Sequence, residues 1–532
     1  MAQKIRSQNR EARQTTIGLP YGHHIKYSDF WLLFDDGRRM KDKDDFITED
    51  AVREDLQSRP HLLISLAQNA LTVAESLRDN YFANTARFIT DLRKRVRQHD
   101  PSRGISPIIS VQKVRDAQWT SVQGEVVTFI DGGIGRSQIS SQAPILLRVG
   151  SYCVRTGERH LSEREHFGYY PVILGDLEGG SKQRKDFPDI VRIIAELLGG
   201  LSVLERTPDL RVLMFHGPLV YLMGVYAGHT PFTEHDIDLF LRHYASDTNL
   251  GSQLKEEFLR EAYEEIYPRM TGLYDEWVRR RLFEPLAWMA FLYRRLIERA
   301  RRRNPVPIIA GVVERSELRE FSERVLLERI FHGLRKNKKI GYFNDIYRRA
   351  DLKSPRSFLD KLNYNDVMLL AMLLEPGEFS EPWEIGKYDG LRRGNLSLPD
   401  ESIITQIDFE PLKPGRIGFP RVRGCYVCVS NTTEPVRVEV FDDLGLNQIG
   451  EAARRVYLYS RLLPGYGFPV GLDTADKFAH VPVWMIDAYT KMIKFSLGVS
   501  LQRGEISDAE MRRILIQAIY MTQRDWLFRP KS

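Results

Sequence analysis

The chain has 532 residues, enough for several average domains or one elaborated domain, with 77 Lys+Arg against 71 Asp+Glu and a formal charge of +6. Three cysteines in such a length point to a reducing compartment. No stretch approaches the roughly 18 uninterrupted apolar residues of a membrane span, and Met1 to Arg13 lacks the apolar core of a secretory signal, so the expectation is a soluble, cytoplasmic protein with no membrane contact.

The first hundred residues read as helical. Leu63, Leu66, Ala70, Val73, Leu77, Tyr81, Phe88, Leu92 and Val96 recur at three- and four-residue steps, which predicts one long helix or two stacked ones with a single buried stripe. The Asp100-Pro101-Ser102-Arg103-Gly104 break follows. Strands are predicted at Ile108 to Val111, Val126 to Ile130, Ile145 to Val149 and Tyr169 to Leu174, as consecutive members of one sheet. Asp186-Phe187-Pro188-Asp189 supplies caps and an early proline for a helix running to Leu198, with Gly199-Gly200 as its stop. A strand then runs to His216. Residues from about Thr230 to Arg303 look like a helical insertion, and Pro307 to Glu314 reads as another buried strand. Further strands are expected at Cys425 to Ser430 and Val436 to Phe441, and helices at Gln448 to Leu463, Asp473 to Leu497 and Ser507 to Trp526. Cys425 and Cys428 form a CxxC, but residues three apart on a strand face opposite ways, which argues against a zinc knuckle.

Two strings carry the chemistry. Val126-Val127-Thr128-Phe129-Ile130-Asp131-Gly132-Gly133 and Val212-Leu213-Met214-Phe215-His216-Gly217-Pro218-Leu219 each read as an apolar strand stopping on a polar, metal-competent side chain followed by glycine. A run of four apolar residues needs both faces covered, so both are predicted as central strands of an α/β sheet. Sites in such sheets lie beyond the carboxyl ends of the strands, where Asp131 and His216 would sit. Glu196 falls on the flank of the stripe formed by Ile190, Ile194, Leu197, Leu198 and Leu201, from where it could lean toward Asp131. Each residue also has a plainer reading: Asp131 as an Asp-Gly turn, Glu196 as an i,i+4 ion pair with Arg192, His216 as a hydrogen-bonded structural imidazole. Together they form a mixed oxygen and nitrogen set suited to Mg²⁺ or Mn²⁺, ions that serve phosphodiester hydrolysis. Basic clusters at Arg93-Lys94-Arg95, Arg279-Arg280-Arg281, Arg301-Arg302-Arg303 and Arg335-Lys336-Asn337-Lys338-Lys339 suit a polyanion, or else are solvated helix ends that offset the helix dipole.

At these residues the chain resembles the NurA family of DNA end-processing nucleases, along most of its length from about Asn80 to Trp526. The motifs in order are Ile130-Asp131-Gly132, the helix carrying Glu196, His216-Gly217-Pro218-Leu219, Ala310-Gly311-Val312-Val313, Asn365-Asp366-Val367-Met368-Leu369-Leu370, and Phe468-Pro469-Val470-Gly471-Leu472-Asp473-Thr474-Ala475-Asp476. The resemblance implies an α/β fold: an RNase H-like mixed sheet core flanked by helices, with an N-terminal helical region and helical insertions. On that basis the expected division is a helical region at 1–105, the first part of the core at 106–224, a helical insertion at 225–304, a core strand and helix at 305–345, a helical and loop insertion at 346–419, and the rest of the core with closing helices at 420–532. It further implies a metal-dependent DNA nuclease using Mn²⁺ or Mg²⁺, partnered by a HerA-type hexameric ATPase and forming a homodimer. The implied site is Asp131, Glu196, His216 and Asp476, with Asp131, Glu196 and His216 on the metal and Asp476 auxiliary. From the basic clusters, Arg301, Arg302, Arg303, Lys338 and Lys339 are expected to hold DNA.

The departures from the family pattern are as informative. His216 stands where the family has a second Asp, Phe468 where it has Tyr, and Asp476 where it has His. In one reading His216 and Asp476 have exchanged places and the site still binds metal. In the other the site has decayed, and the scaffold docks an ATPase ring or holds DNA. His480, one turn past Asp476, is either a substitute imidazole or a helix-surface histidine.

Overall fold

The computed structural model describes residues 16–18, 24–26, 58–97, 107–115, 117–136, 145–160, 165–174, 181–221, 237, 238, 241, 250–260, 285–336, 342, 343, 352–386, 419–445 and 447–520. The chain divides into two units, Met1–Ala70 with Tyr520–Ser532, and Leu71–Ile519. In the first, β1 (Thr16–Gly18) and β2 (His24–Lys26) form a short antiparallel pair.

The second unit is built on a mixed sheet. Its strands are β3 (Val111–Lys113), β4 (Val126–Arg136), β5 (Ile145–Arg155), β6 (Glu165–Leu174), β7 (Leu210–His216), β8 (Ile308–Val313), β9 (Glu378–Ser380), β10 (Trp383–Glu384), β11 (Val422–Val427) and β12 (Val436–Phe441). They lie in the order β3-β9-β11-β12-β8-β7-β4-β5-β6, with β10 paired to β11. β4, β5 and β6 form an antiparallel meander, and β7 and β8 join it in parallel on the β4 side. This is the RNase H-like mixed sheet that the resemblance implies. Among the described residues no helix is long and apolar enough to cross a membrane.

The apolar runs behave as strands covered on both faces must. Leu213, Phe215, Ile130 and Val149 point into one cluster, with α1 (Ser181–Arg206) and α2 (Pro285–Arg301) laid over it; Val212, Met214, Val127 and Phe129 point into another, under α3 (Gln448–Tyr459) and α4 (Val470–Ala479). Cys425 lies in that second cluster and Cys428 in a third, so the two thiols occupy opposite faces, as strand alternation requires.

Several local expectations are corrected. Gly199-Gly200 does not stop its helix, which runs on to Arg206. These glycines lie buried against the sheet, where a Cβ would meet Val149 Cγ1 at 3.2 Å and Phe215 Cζ at 2.7 Å. Each glycine costs about 1 kcal/mol of helix propensity, and closer packing of helix on sheet offsets it. The predicted helix from Asp473 to Leu497 is two, α4 and a separate Val483–Gln502 (α5), because Pro482 disfavours helical backbone in the residue before it. β4 continues five residues past Asp131 to Arg136. The predicted strand at Ile108 to Val111 forms instead at Val111–Lys113. The N-terminal run is helical over Pro60–Ser76, π-helical over Leu77–Phe82 and helical again over Ala83–Arg97. Its stripe is buried at Leu63 and then at Phe88, Leu92 and Val96, whereas Leu66, Val73 and Leu77 are exposed. The closing helix is described over Ala509–Tyr520 (α6).

Candidate functional site

β4 and β7 pair in parallel as far as Ile130 and Phe215. The next residue on each strand is Asp131 or His216, so both stand where the parallel ladder ends. Beyond that point β4 pairs with β5 alone, which makes Asp131 a mid-strand residue and not a turn. Asp131 Oδ2 lies 2.8 Å from His216 Nδ1, and Asp131 Oδ1 accepts the Gly132 amide at 2.8 Å. Phe468 packs on the imidazole with ring centroids 5.4 Å apart.

Asp476 arrives from α4, and glycines make its approach possible. A Cβ on Gly133 would fall 2.1 Å from the Ala479 carbonyl oxygen, one on Gly150 would fall 2.3 Å from the Ala475 carbonyl oxygen, and one on Gly471 would overlap the Phe129 ring. The helix backbone therefore rests directly on β4 and β5. This contact brings Asp476 over Asp131, and one donor atom each from Asp131, His216 and Asp476 lie within 4.8 Å of one another.

Glu196 comes from the other face. Strand alternation puts Gly132 opposite Asp131, and a Cβ there would fall 2.6 Å from Glu196 Oε1; glycine lets the carboxylate rise to the sheet. Arg192 Nη1 lies 2.6 Å from Glu196 Oε1 and donates to the Tyr221 hydroxyl at 3.2 Å. The i,i+4 ion pair is thus present, and the structure does not bring Glu196 into the three-residue donor cluster.

The electrostatics follow from this crowding. Burial pushes the Glu196 carboxyl up to about 7, against the pull of Arg192. Burial alone would lower the His216 imidazole, but its hydrogen bond and charge interaction with Asp131 outweigh it, and the net shift is upward. Burial and the neighbouring Asp131 raise Asp476. Asp476, raised in part by the Asp131 charge beside it, is a group that a cation between the two would relieve.

The basic residues are dispersed. Arg301 bonds the Asp443 carbonyl through Nε at 2.9 Å, and Arg303 bonds the carbonyls of Thr207 and Pro208 at 2.8 and 3.0 Å. Arg302 is exposed, while Lys338 and Lys339 lie outside the described residues. His480 ends α4 as its C-cap and is exposed. Sequence reading passes over Tyr221 and Gly150, and it names Gly133 without the partner that rests on it; a glycine inside a strand permits a close backbone approach but does not say which segment makes it.

The fold and site define a mixed α/β core that presents carboxylate and imidazole donors where the β4–β7 parallel ladder ends, beneath a helix that adds a second carboxylate. Residues 125–481 match the model of the NurA domain. The chain belongs to the NurA family. No curated protein matches it in sequence. It is similar to the crystal structure of the NurA nuclease from Sulfolobus solfataricus, at 13% identity over 81% of this chain and 98% of that one, with a TM-score of 0.39. A second NurA crystal structure matches at 10% identity over 77% of this chain and 93% of that one, TM-score 0.34. A NurA structure bound to dAMP and manganese matches at 11% identity over 74% and 91%, TM-score 0.30.

Proposed function

We propose that the protein is a divalent-metal-dependent DNA nuclease that processes DNA ends in the cytoplasm together with a HerA-type hexameric ATPase, as a homodimer. The observation that carries this reading is the convergence of Asp131, His216 and Asp476 inside a NurA domain. Two carboxylates and an imidazole are a chemically fitting donor set for Mn²⁺ or Mg²⁺, and three protein donors leave positions for water and phosphate oxygens. When bound, such an ion supplies polarisation of the phosphoryl oxygen and a more acidic water. Asp131 and Asp476 provide the negative charge that holds it. Asp131 Oδ2 and His216 Nδ1 already meet at 2.8 Å, so an ion drawing a donor from both residues would take the place of that hydrogen bond. Glu196 stands behind this set as a buried charge balanced by Arg192. Because manganese and dAMP are named with a similar structure, Mn²⁺ and a nucleotide are the first ligands to test.

DNA contact is assigned to Arg302, with Lys338, Lys339 and the flanking Arg301 and Arg303 in support; an exposed guanidinium suits phosphate. Exposed Trp484, Met492 and Phe495 on α5, and Ile514 on α6, support assembly with further chains.

The second reading, a catalytically impaired subunit that binds DNA and docks the ATPase, is favoured by one observation: Asp131 and Glu196 already have cationic or imidazole partners within the chain. The test is linear DNA incubated with the protein and Mn²⁺ or Mg²⁺, with and without the cognate ATPase and ATP, alongside calorimetric titration of Mn²⁺. Metal-dependent shortening of the DNA supports the nuclease. Mn²⁺ binding without cleavage supports the second reading, and neither binding nor cleavage overturns the metal site.

A further inference from the structure

A buried polar chain leads from the helix at Asp366 to the turn after His216. Asp366 accepts the amides of Phe321 and Ser322 at 3.2 and 2.7 Å and the Tyr426 hydroxyl at 3.1 Å. The Tyr426 hydroxyl is 3.0 Å from Ser316 Oγ, to which Arg437 Nη1 donates at 2.6 Å. Arg437 Nε then lies 2.8 Å from Glu439 Oε1; the N–H is not aimed for a directed hydrogen bond there, so charge holds the pair. The other Glu439 oxygen, Oε2, accepts the buried Leu219 amide at 2.8 Å.

Leu219 closes the turn that begins at Gly217, the residue after His216. The turn lies flat on the sheet. Gly217 has φ +105°, donates its amide to the Val312 carbonyl at 2.8 Å, and a Cβ on Gly311 would fall 2.7 Å from Leu219 N. Gly311 is the residue opposite Glu439 in the β8–β12 ladder. Glu439 therefore reaches across a glycine to the turn. Burying a carboxylate and a guanidinium together costs more than packing hydrocarbon of the same volume, so the pair earns no place as packing. What hydrocarbon cannot supply is an acceptor for the Leu219 amide, which would otherwise be a buried, unmet donor.

We propose that Glu439, its carboxylate fixed by Arg437, is a positioning residue for the candidate metal site: by holding the Leu219 amide it sets the turn, and through it the place of His216 on β7. The metal arm of this inference rests on the site reading above, and the backbone arm does not.

The test compares two double variants. Arg437→Met with Glu439→Gln removes the ion pair and keeps an acceptor; Arg437→Met with Glu439→Leu removes both. Amide hydrogen exchange over residues 213–221 and Mn²⁺ affinity are measured on each full-length chain. With the Leu variant, exchange at the turn should quicken about tenfold or more, and Mn²⁺ should bind about tenfold more weakly, in the range found when outer partners of metal ligands are lost. The Gln variant should stay close to wild type in both. Glu439→Asp, which keeps the charge but shortens the reach, should loosen the turn as the Leu variant does, and it decides the matter if the Leu variant does not fold. Equal exchange in all variants overturns the proposal, as does a loosened turn with unchanged Mn²⁺ affinity. Wild type that binds no Mn²⁺ fails the metal reading alone, and the exchange comparison still decides whether Glu439 holds the turn.

Discussion

Asp131 Oδ2 and His216 Nδ1 meet at 2.8 Å across neighbouring parallel strands, at the step where those strands part. The contact gives Asp131 two tasks, holding the imidazole and offering its charge to a cation. Asp131→Asn separates them, because the amide keeps the shape and a hydrogen bond to the imidazole while removing the charge. Metal-dependent cleavage should fall about a hundredfold or more, with DNA binding retained or tightened. Cleavage assays paired with fluorescence anisotropy on labelled DNA check this. Full activity in Asp131→Asn would remove Asp131 from the metal.

His216 and Asp476 share one donor cluster, which suits the view that an imidazole and a carboxylate have exchanged places relative to the family pattern. A double-mutant cycle measures the exchange. His216→Asp alone crowds three carboxylates, and Asp476→His alone leaves two imidazoles with one carboxylate; each should lower activity. The combined variant should recover much of it, with a coupling of about 1 kcal/mol or more, as contacting residues show. Additive losses would sink the exchange reading. A rise in activity from near zero in His216→Asp alone would mark a decayed site instead.

How much of this is written in the sequence depends on how local the cause is. The runs Val126 to Ile130 and Val212 to Phe215 announce central strands because a sheet covered on both faces demands uninterrupted apolar residues. Arg192 and Glu196 are four apart on one helix, so their ion pair is readable too. By contrast Arg437 and Glu439 lie in a Val-Arg-Val-Glu-Val alternation that reads as a half-solvated strand, and both are buried, since their partners at Ser316 and Leu219 come from distant segments. The seat of α4 on Gly133 and Gly150 is a backbone contact between segments more than 300 residues apart, and no local pattern encodes it.

That seat yields a stability prediction. In Gly150→Ala the added methyl would fall 2.3 Å from the Ala475 carbonyl oxygen, a backbone atom that cannot swing aside. Either the helix lifts or the strand shifts, and overpacking of this kind costs about 1–3 kcal/mol. Asp476 should move with the helix, so Mn²⁺ affinity should drop together with the urea midpoint. As a control, Gly450→Ala in α3 adds a methyl that meets nothing within 4 Å; it should leave Mn²⁺ affinity unchanged and, through helix propensity, raise stability by up to about 1 kcal/mol. A Gly150→Ala chain as stable as wild type would show that α4 is not seated by backbone contact.

The buried carboxyl of Asp366 gives a pH dependence whose sign can be worked out. Burial raises it to about 6 from an ordinary value of 3.8, although the amides of Ser322 and Phe321 and the Tyr426 hydroxyl favour its charged form. Between those two pH values the folded chain holds a proton that the unfolded chain has lost, so stability must fall as pH rises through the window. Its contribution is most favourable below about pH 4 and is lost above about pH 6. A shift of about two units corresponds to roughly 3 kcal/mol. Asp366→Asn carries no titrating group, so the difference in unfolding free energy between the two chains should change by that order between pH 4 and 7, with wild type losing ground as pH rises. Urea melts at each half unit of pH provide the measurement. A difference that stays flat would show that the hydrogen bonds from Ser322, Phe321 and Tyr426 cancel the effect of burial, and one that moves in favour of wild type with rising pH would show that they hold Asp366 ionised below its ordinary range.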